Sequence, residues 1–432
     1  MTMSTEPTGK TESAWEALFK KHDIASRVRQ DGVFRISAEQ IKEFREPRLM
    51  AKFDHKKNLP AIFRNNRLGI LPVNRREYVI GQFDLFAQLP TPDIPTVQAT
   101  FPAWLESISP NTTISETVAL NCALASGVLN RFLGEETLAP TLSGRMGTKA
   151  FSFRIGGQGG ERQIAVDGAQ IEMDAVYEGE NSVTVFEAKM DLAEDFIVRQ
   201  LYYPYRHLTS LGFSKRVRTV FLTYSGGVFD LAEYGFRDSE DYNSAHLIRH
   251  ERHALAEGAI SPKELSRLLQ RTQARPEPEG IPFPQADTFA RVVNLCERLA
   301  KGPMSKEDIE ETYGFDPRQA DYYFNAAAYL GLACREGGRA SPVILSPDGR
   351  RLARMGLARR NAFLAERILQ HAAFREVLRM ALAGGSLPDR AAIRQVLLRT
   401  NPGLGRPDGD TYGRRASTVR HWTQWLLSLA GT

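Results

Sequence analysis

The chain has few cysteines and no long apolar run, and both absences limit what it can be. Its three cysteines, Cys122, Cys296 and Cys334, lie far apart and form no CxxC or Cys/His pattern. A disulfide framework and a structural zinc site are therefore not supported. The sequence contains no run of about 18 or more apolar residues, and its amino terminus has no apolar stretch typical of a signal peptide. We therefore expect a cytoplasmic protein without a membrane partner.

Motifs for nucleotide binding and for repeat architectures are also missing. There is no GxxxxGK[ST] loop, and RIGGQGGE at 154–161 is more typical of a flexible turn than of a phosphate cradle. No repeat or heptad seam indicates a solenoid or a coiled coil. The histidine-rich HLIRHERH at 246–253 predicts a polar helix and shows no zinc-type pairing. We therefore expect no nucleotide cofactor.

Charge is distributed unevenly along a chain of ordinary globular composition. Of 432 residues, 42% are apolar and 25% are charged, with a net charge of +5. Between residues 42 and 76 there are ten Lys or Arg against three acids. Between residues 350 and 420 there are fifteen Arg, no Lys and five acids. Two basic flanks around a less basic middle are weakly indicative of a polyanionic partner.

The length predicts two to four domains, since a domain usually has about 100 to 200 residues. Proline-rich segments at 89–102 and 272–285 predict connectors. Residues 114–133 predict one helix with Ser115 as its N-cap. The fold class is α/β (α+β). We predict a basic α/β region at 1–95, a mixed-sheet domain at 96–271, a linker at 272–285, a three-helix and hairpin domain at 286–358, and an arginine-rich helical segment at 359–432.

Residues 174–189, DAVYEGENSVTVFEAK, predict an antiparallel β-hairpin. The turn EGENS separates two strand-like runs, so the numbers of opposing residues sum to 361. This register places Asp174 opposite Glu187. It also places Glu172 opposite Lys189 on the same face. The other face is predicted to be entirely apolar, with Ile171, Met173, Ala175, Phe186, Ala188 and Met190.

The charged face of this hairpin predicts a metal site. Acids that face each other across two strands repel unless a cation lies between them. Mg²⁺ prefers oxygen ligands and is often held by one or two carboxylates, with water and phosphate completing its shell. We therefore predict that Asp174 and Glu187 bind Mg²⁺. Lys189 points to the same side and can place its ammonium beside a metal-bound water or a phosphate, which indicates phosphodiester hydrolysis.

An Asp, a hairpin turn and a Glu-x-Lys sequence together resemble the active site of the PD-(D/E)xK nuclease superfamily, which includes many restriction endonucleases. Residue 173, before the Asp, is Met where the family motif has Pro. The resemblance implies a restriction-endonuclease-like mixed-sheet core flanked by helices, and Mg²⁺-dependent hydrolysis of DNA. It also implies that Glu116, on an upstream helix, is a further metal-binding acid and that Gln200, on the following helix, belongs to the active site.

Residues 286–358 predict three helices followed by a hairpin, which is the order of a winged helix. Ser305 and Asp308 form a capping box, and Asp316 and Ser346 each precede a first-turn proline. This pattern resembles the winged-helix domains appended to predicted type II restriction endonucleases. Because the third helix is unusually apolar, packing or dimerisation is as well supported as DNA reading.

Basic and amide side chains in both flanks predict contacts to phosphates and bases. In the last segment, Trp422 and Leu426 belong to an apolar stripe that predicts packing in the core rather than stacking on bases. The residues predicted to contact DNA are Arg45, Arg48, Lys56, Lys57, Arg64, Arg67, Arg318, Gln319, Arg414 and Arg415.

The sequence thus predicts a type II restriction endonuclease that cuts double-stranded DNA at specific sites. Symmetric targets predict a homodimer, and the resemblance implies a companion DNA methyltransferase. Three alternatives stay open. A repair or modification-dependent nuclease could carry the same hairpin, and a winged-helix regulator could bind DNA without cutting it. The Glu-x-Lys sequence could also lie on a solvated hairpin face without a function, because an acid-x-Lys sequence arises by chance in a chain of this length, as Asp54-His55-Lys56 does.

Overall fold

The computed structural model describes residues 10–91, 94–110, 115–338, 340–406 and 409–430. Helices and strands alternate along most of the chain, and the largest sheet has seven strands, some parallel and some antiparallel. The predicted mixed α/β class is therefore confirmed. None of the helices in the described ranges combines the length and apolar character needed to cross a membrane.

The amino-terminal region is a small sheet packed against short helices. Trp15 and Phe63 are fully buried there with their rings edge to face, and the Trp15 indole N–H donates to the Met50 carbonyl. Strands β1, β3 and β2 form an antiparallel sheet in that order. The elements are α1 (Lys10–His22), α2 (Ile24–Asp31), β1 (Val33–Ser37), α3 (Ala38–Lys42), α4 (Pro47–Met50), α5 (Ala61–Asn66), β2 (Gly69–Pro72), β3 (Glu77–Gly81) and β4 (Phe86–Gln88).

The central region contains the seven-stranded sheet. Its elements are β5 (Thr96–Ala99), α6 (Glu116–Ala125), α7 (Val128–Leu133), β6 (Ala139–Gly147), β7 (Phe151–Ile155), β8 (Arg162–Val166), β9 (Gln170–Glu178), β10 (Ser182–Lys189), β11 (Asp195–Ile197), α8 (Arg199–Thr209), β12 (Arg216–Ser225), β13 (Val228–Phe236), β14 (Ala245–Leu255) and α9 (Pro262–Arg271). The strand order is β5-β14-β13-β12-β10-β9-β6. Helices α6 and α7 cover one face of the sheet, and α8 covers the other.

Two predictions for this region are wrong. The single helix predicted at 114–133 is broken at Gly127, whose positive φ of 68° ends α6 and lets α7 begin in a new direction. Ser115 does cap α6, by accepting from the Val118 N–H, while residue 114 lies outside the described residues. Residues 246–253 are part of strand β14, since pairing with β13 decides their conformation. The proline-rich connector at 89–102 contains an edge strand, β5.

The carboxy-terminal region is helical with one small hairpin. It has three helices, then the antiparallel pair β15 and β16, as the sequence predicted. Ser305 and Asp308 form the predicted capping box, and Asp316 and Ser346 cap their helices. The elements are α10 (Phe289–Leu299), α11 (Lys306–Tyr313), α12 (Pro317–Tyr329), β15 (Ala333–Arg335), β16 (Val343–Leu345), α13 (Pro347–Ala353), α14 (Leu357–Leu369), α15 (Ala372–Gly384), α16 (Arg390–Thr400) and α17 (Asp410–Leu429).

One hydrophobic core runs through this region and beyond its predicted start. Trp422 and Leu426 are fully buried in it, as predicted. The same core includes three leucines of α9, although α9 lies before the predicted linker. The linker itself is packed: Phe283 stacks on Phe374, and the Arg275 N–H donates to the Gln370 carbonyl. Residues 272–285 are therefore packed against the carboxy-terminal region.

Candidate active site

The β9–β10 hairpin has the predicted register only at its turn end. Four pairs sum to 361, from Val183 with Glu178 to Phe186 with Ala175. Beyond them the strands separate, because β10 stays beside β12 as far as Lys189 while β9 stays beside β6. The predicted backbone pairs of Asp174 with Glu187 and of Glu172 with Lys189 are therefore wrong. Bulges between β6 and β9 bend β9 away at this point.

The separation changes which side chains share a face. Ala175, Phe186 and Ala188 pack under α6 and α7, as the apolar face was expected to do. Met173 instead packs with Val185 and other residues beneath α8, so its predicted position is wrong. Asp174 fills the opening between the strands, and its Oδ2 accepts a hydrogen bond from the Ala188 N–H at 2.8 Å.

Four of the five predicted catalytic residues are joined by direct contacts. Lys189 Nζ lies 2.5 Å from Glu187 Oε1, and Gln200 Nε2 donates to the same oxygen at 2.8 Å. Glu116, the first residue of α6, places its Oε1 at 3.9 Å from Lys189 Nζ. The fifth residue, Asp174, is tied to β10 through Ala188. Residues from two strands and two helices, up to 84 positions apart between Glu116 and Gln200, therefore converge where β9 and β10 part.

Burial dominates the electrostatics of this group. Glu187 is only 6% exposed, and burial raises its pKa to about 7 even though Lys189 opposes that rise. Burial also raises the pKa of Asp174 and that of Glu116. For Lys189, burial acts to lower the pKa, but the surrounding carboxylates outweigh it and hold the pKa above its ordinary value. The site thus has more acid groups than one lysine can neutralise.

This excess of buried acid predicts a pH-dependent stability. In EDTA, the free energy of unfolding should fall as the pH rises from about 5 to 8, because Glu187 binds its proton more tightly when folded. At low pH the carboxyl is neutral in both states; between the ordinary value of 4.5 and the folded value of about 7, the folded chain binds more protons. Glu187→Gln cannot titrate, so the free energy of unfolding of this variant should change less between pH 5 and 8 than that of the wild type. Urea unfolding at each pH measures the free energy of unfolding. If this free energy falls with pH as steeply in Glu187→Gln as in the wild type, the prediction is contradicted.

The residues fit Mg²⁺ with a small protein ligand set. Within the described ranges, no three His, Cys, Asp or Glu side chains converge as a metal-binding group. Asp174 and Glu187 are two carboxylates, the number that Mg²⁺ often takes from a protein. Gln200 Oε1 is buried without a hydrogen-bond partner, and an added cation or its water would satisfy it. Glu116 lies beside Lys189, and a metal-binding role for it stays a prediction.

Sequence reasoning missed several residues at the site. Asp191 lies two residues after Lys189, its pKa is raised by burial, and Arg298 Nε is 3.0 Å from its Oδ1. Asp54 contributes to the raised pKa of Glu187. His55 Nδ1 is within 3.1 Å of Asp195 Oδ1, at the start of β11. Asp191 could have been found from its spacing. Asp54 and His55 belong to the Asp54-His55-Lys56 sequence, which matches the acid-x-Lys pattern but was interpreted as a chance match.

The predicted DNA-contacting residues fall into separate places. Lys57 Nζ donates to Gln319 Oε1 at 3.2 Å, so the start of α12 lies against the amino-terminal region. Gln319 also closes the capping box of α12 with Asp316. Arg48 is exposed and lies 3.4 Å from Glu172, next to the candidate site. Lys57, Gln319 and Arg48 therefore each have a partner in another region of the chain.

The remaining predicted contacts do not gather at the site. Arg414 pairs with Asp410 on α17, and Arg415 is half-buried against Gln285, where burial lowers its pKa. Lys56 and Arg318 are exposed. Arg45 donates to Thr11 and Arg64 to the Lys57 and Leu59 carbonyls, all within the amino-terminal region, whereas Arg67 donates to Gln158 in the central region.

Three family models match successive parts of the chain, and each is described as a domain of unknown function. DUF6996 matches residues 12–80, DUF6997 matches 81–254, and DUF7226 matches 291–431. No curated protein and no solved structure matches the chain. All five predicted catalytic residues lie in the DUF6997 match, while Asp54 and Arg298 reach the site from the other two.

Proposed function

We propose that this protein is a Mg²⁺-dependent endonuclease that cuts double-stranded DNA at specific sites, with a central domain of the PD-(D/E)xK type. The observation that carries the proposal is the separation of β9 and β10. It exposes Asp174 beside a buried Glu187 and the ammonium of Lys189, in a sheet covered by helices on both faces. This arrangement supports a restriction-endonuclease-like core.

Asp174 and Glu187 are the proposed ligands. Bound Mg²⁺ would supply a water of lowered pKa and stabilise negative charge on a phosphate. The Ala188 N–H donates to the Asp174 carboxylate and holds it between β9 and β10, and Gln200 Nε2 donates to Oε1 of Glu187. Both carboxylates are thus oriented before a substrate arrives, which removes part of the cost of ordering them.

Lys189 supplies a fixed positive charge at the same point. The Lys189 side chain is 23% exposed, and its ammonium contacts Glu187 and Glu116. In a partly dehydrated site this charge stabilises a phosphate oxygen as negative charge develops on it. Gln200 has a free buried carbonyl oxygen that can accept a hydrogen bond from the attacking water.

The flanking regions are proposed to hold the DNA. The winged-helix order of α10, α11, α12 and the β15–β16 hairpin supports a DNA-binding or dimerisation module. Arg48 lies beside β9, so a basic group borders the site on the amino-terminal side, and Lys57 contacts the start of α12. We propose a homodimer acting with a companion methyltransferase, as a type II restriction endonuclease does.

Digestion of DNA tests the proposal. Purified protein should convert unmethylated plasmid and phage DNA into discrete fragments with Mg²⁺ but not with EDTA. Asp174→Asn keeps the acceptor for the Ala188 N–H but removes the charge, and should reduce cleavage by about 100-fold. Cleavage only of methylated or damaged DNA would move the assignment to a modification-dependent or repair nuclease. Tight DNA binding with no cleavage of any substrate would instead support the non-catalytic regulator.

A further inference from the structure

Three side chains of α10 hold the loop that follows Lys189. Arg291, Asn294 and Arg298 are spaced by three and four residues, so they share one face of the helix. Arg291 Nε donates to the Leu192 carbonyl at 2.8 Å, and its Nη1 lies 3.1 Å from Glu194. Arg298 Nε lies 3.0 Å from Asp191. We call residues 190–194 the exit loop.

Asn294 is the central contact of the three. It is 1% exposed, and its Nδ2 donates to the Met190 carbonyl at 2.7 Å. Its Oδ1 accepts from the Tyr313 hydroxyl of α11 at 2.8 Å. A buried amide that is bonded on both sides has one favoured orientation. Met190 is the residue directly after Lys189, so this bond fixes the backbone beside the lysine.

The sheet supplies this support on one side of β10 only. The last pair between β10 and β12 is Lys189 with Thr223, and β9 has already separated from β10 by Phe186. The strand that carries Glu187 and Lys189 therefore ends with a neighbour on one side only. Directly beyond Lys189, α10 contacts the exit loop through Arg291, Asn294 and Arg298.

We infer that Asn294 is a positioning residue for Lys189, and that the carboxy-terminal region thereby completes the active site of the same chain. The inference rests on the proposed nuclease function and goes further, since it assigns the region a role in the chemical step besides any contact with DNA. Displacement of a catalytic group by about 1 Å can cost about 100-fold in rate. Residues that orient the groups around a metal typically contribute about 10-fold to 100-fold.

The matched variants are Asn294→Asp and Tyr313→Phe. The first keeps the size of the side chain and the acceptor for Tyr313, but replaces the donor to Met190 with a carboxylate. The second removes the hydrogen bond from the Tyr313 hydroxyl and leaves the Nδ2 bonds of Asn294 to Met190 and, at 3.4 Å, to Glu297. Asn294→Asp should lower the single-turnover cleavage rate by about 10-fold to 100-fold. It should leave DNA binding in Ca²⁺ within about 2-fold, whereas Tyr313→Phe should cleave within about 3-fold of the wild type.

Hydrogen exchange of peptides covering 186–196 provides the second readout. Asn294→Asp should speed exchange there, and Tyr313→Phe should not. A wild-type cleavage rate in Asn294→Asp, or equal losses in both variants, would overturn the inference. If wild-type protein cuts no DNA, the proposed function fails, and unchanged exchange in Asn294→Asp would separately overturn the positioning role. Arg291→Lys, which keeps the charge but loses the guanidinium contact to Leu192, replaces Asn294→Asp if that variant does not fold.

Discussion

Lys189→Met should reduce the single-turnover rate of DNA cleavage by about 100-fold to 1,000-fold while DNA binding stays intact. Methionine keeps an unbranched apolar stem out to the ε position but removes the ammonium group and its charge. The ammonium contacts Glu187 at 2.5 Å, and water screens its charge only in part because the Lys189 side chain is 23% exposed and that of Glu187 8%. Cleavage under excess enzyme measures the rate, and a mobility shift in Ca²⁺ measures binding.

Lys215→Met is the matched control for this change. Lys215 also pairs with a glutamate, Glu178, but the two side chains are about one third exposed and lie at the turn end of the hairpin. Loss of that charge should alter cleavage by less than about 2-fold. A Lys189→Met protein that binds and cuts DNA at the wild-type rate would remove Lys189 from the mechanism.

Glu233→Ala should destabilise the protein by about 3 to 5 kcal/mol, the largest stability effect that we expect from one substitution. Arg218 and Glu233 form a two-point ion pair across β12 and β13, with distances of 2.9 Å and 2.7 Å. Their side chains are 8% and 2% exposed, so the variant would leave a guanidinium in the sheet without its carboxylate. Urea unfolding followed by circular dichroism gives the free energy.

Glu178→Ala provides the comparison, because it breaks the exposed pair with Lys215. An exposed pair contributes at most about 1 kcal/mol, so this variant should unfold close to the wild type. If the free energy of unfolding falls equally in the two glutamate variants, burial does not explain the contribution of the Arg218–Glu233 pair to stability. Arg218 also donates to the Leu133 carbonyl, and that bond remains in both variants.

Local sequence signals predicted the turns and helix caps, whose conformation depends on residues close in the sequence. The turn EGENS fixed the register near Val176 and Val185. Ser115, Ser305 and Asp316 cap their helices because short polar side chains satisfy free N–H groups there. Such features depend on three or four residues, and no distant contact overrides them here.

Features set by distant strands were not predicted. The HLIRHERH segment has no clear strand alternation, and its strand conformation comes from pairing with β13 on one side and β5 on the other. The separation of β9 from β10 likewise depends on other strands, because β9 stays paired with β6 and β10 stays paired with β12. Propensity and pattern in one segment contain no information about such partners.

The candidate site was partly predictable for the same reason. Asp174, Glu187 and Lys189 lie in one hairpin and could be found together. Asp54 and Arg298 reach the site from the amino-terminal and carboxy-terminal regions, and their local sequence does not show that they lie near the hairpin. Their place became visible only when the three regions were seen in contact.

The core that joins α9 to the carboxy-terminal helices also determines how the chain can be divided. Leu265 and Leu268 are buried among residues that follow the proline-rich segment at 272–285. A protease that cuts within this segment would therefore leave two pieces that remain associated, with α9 bound across the cut. Heating should melt α9 with the helices that cover it, as one cooperative unit, rather than with the sheet that precedes it in the chain.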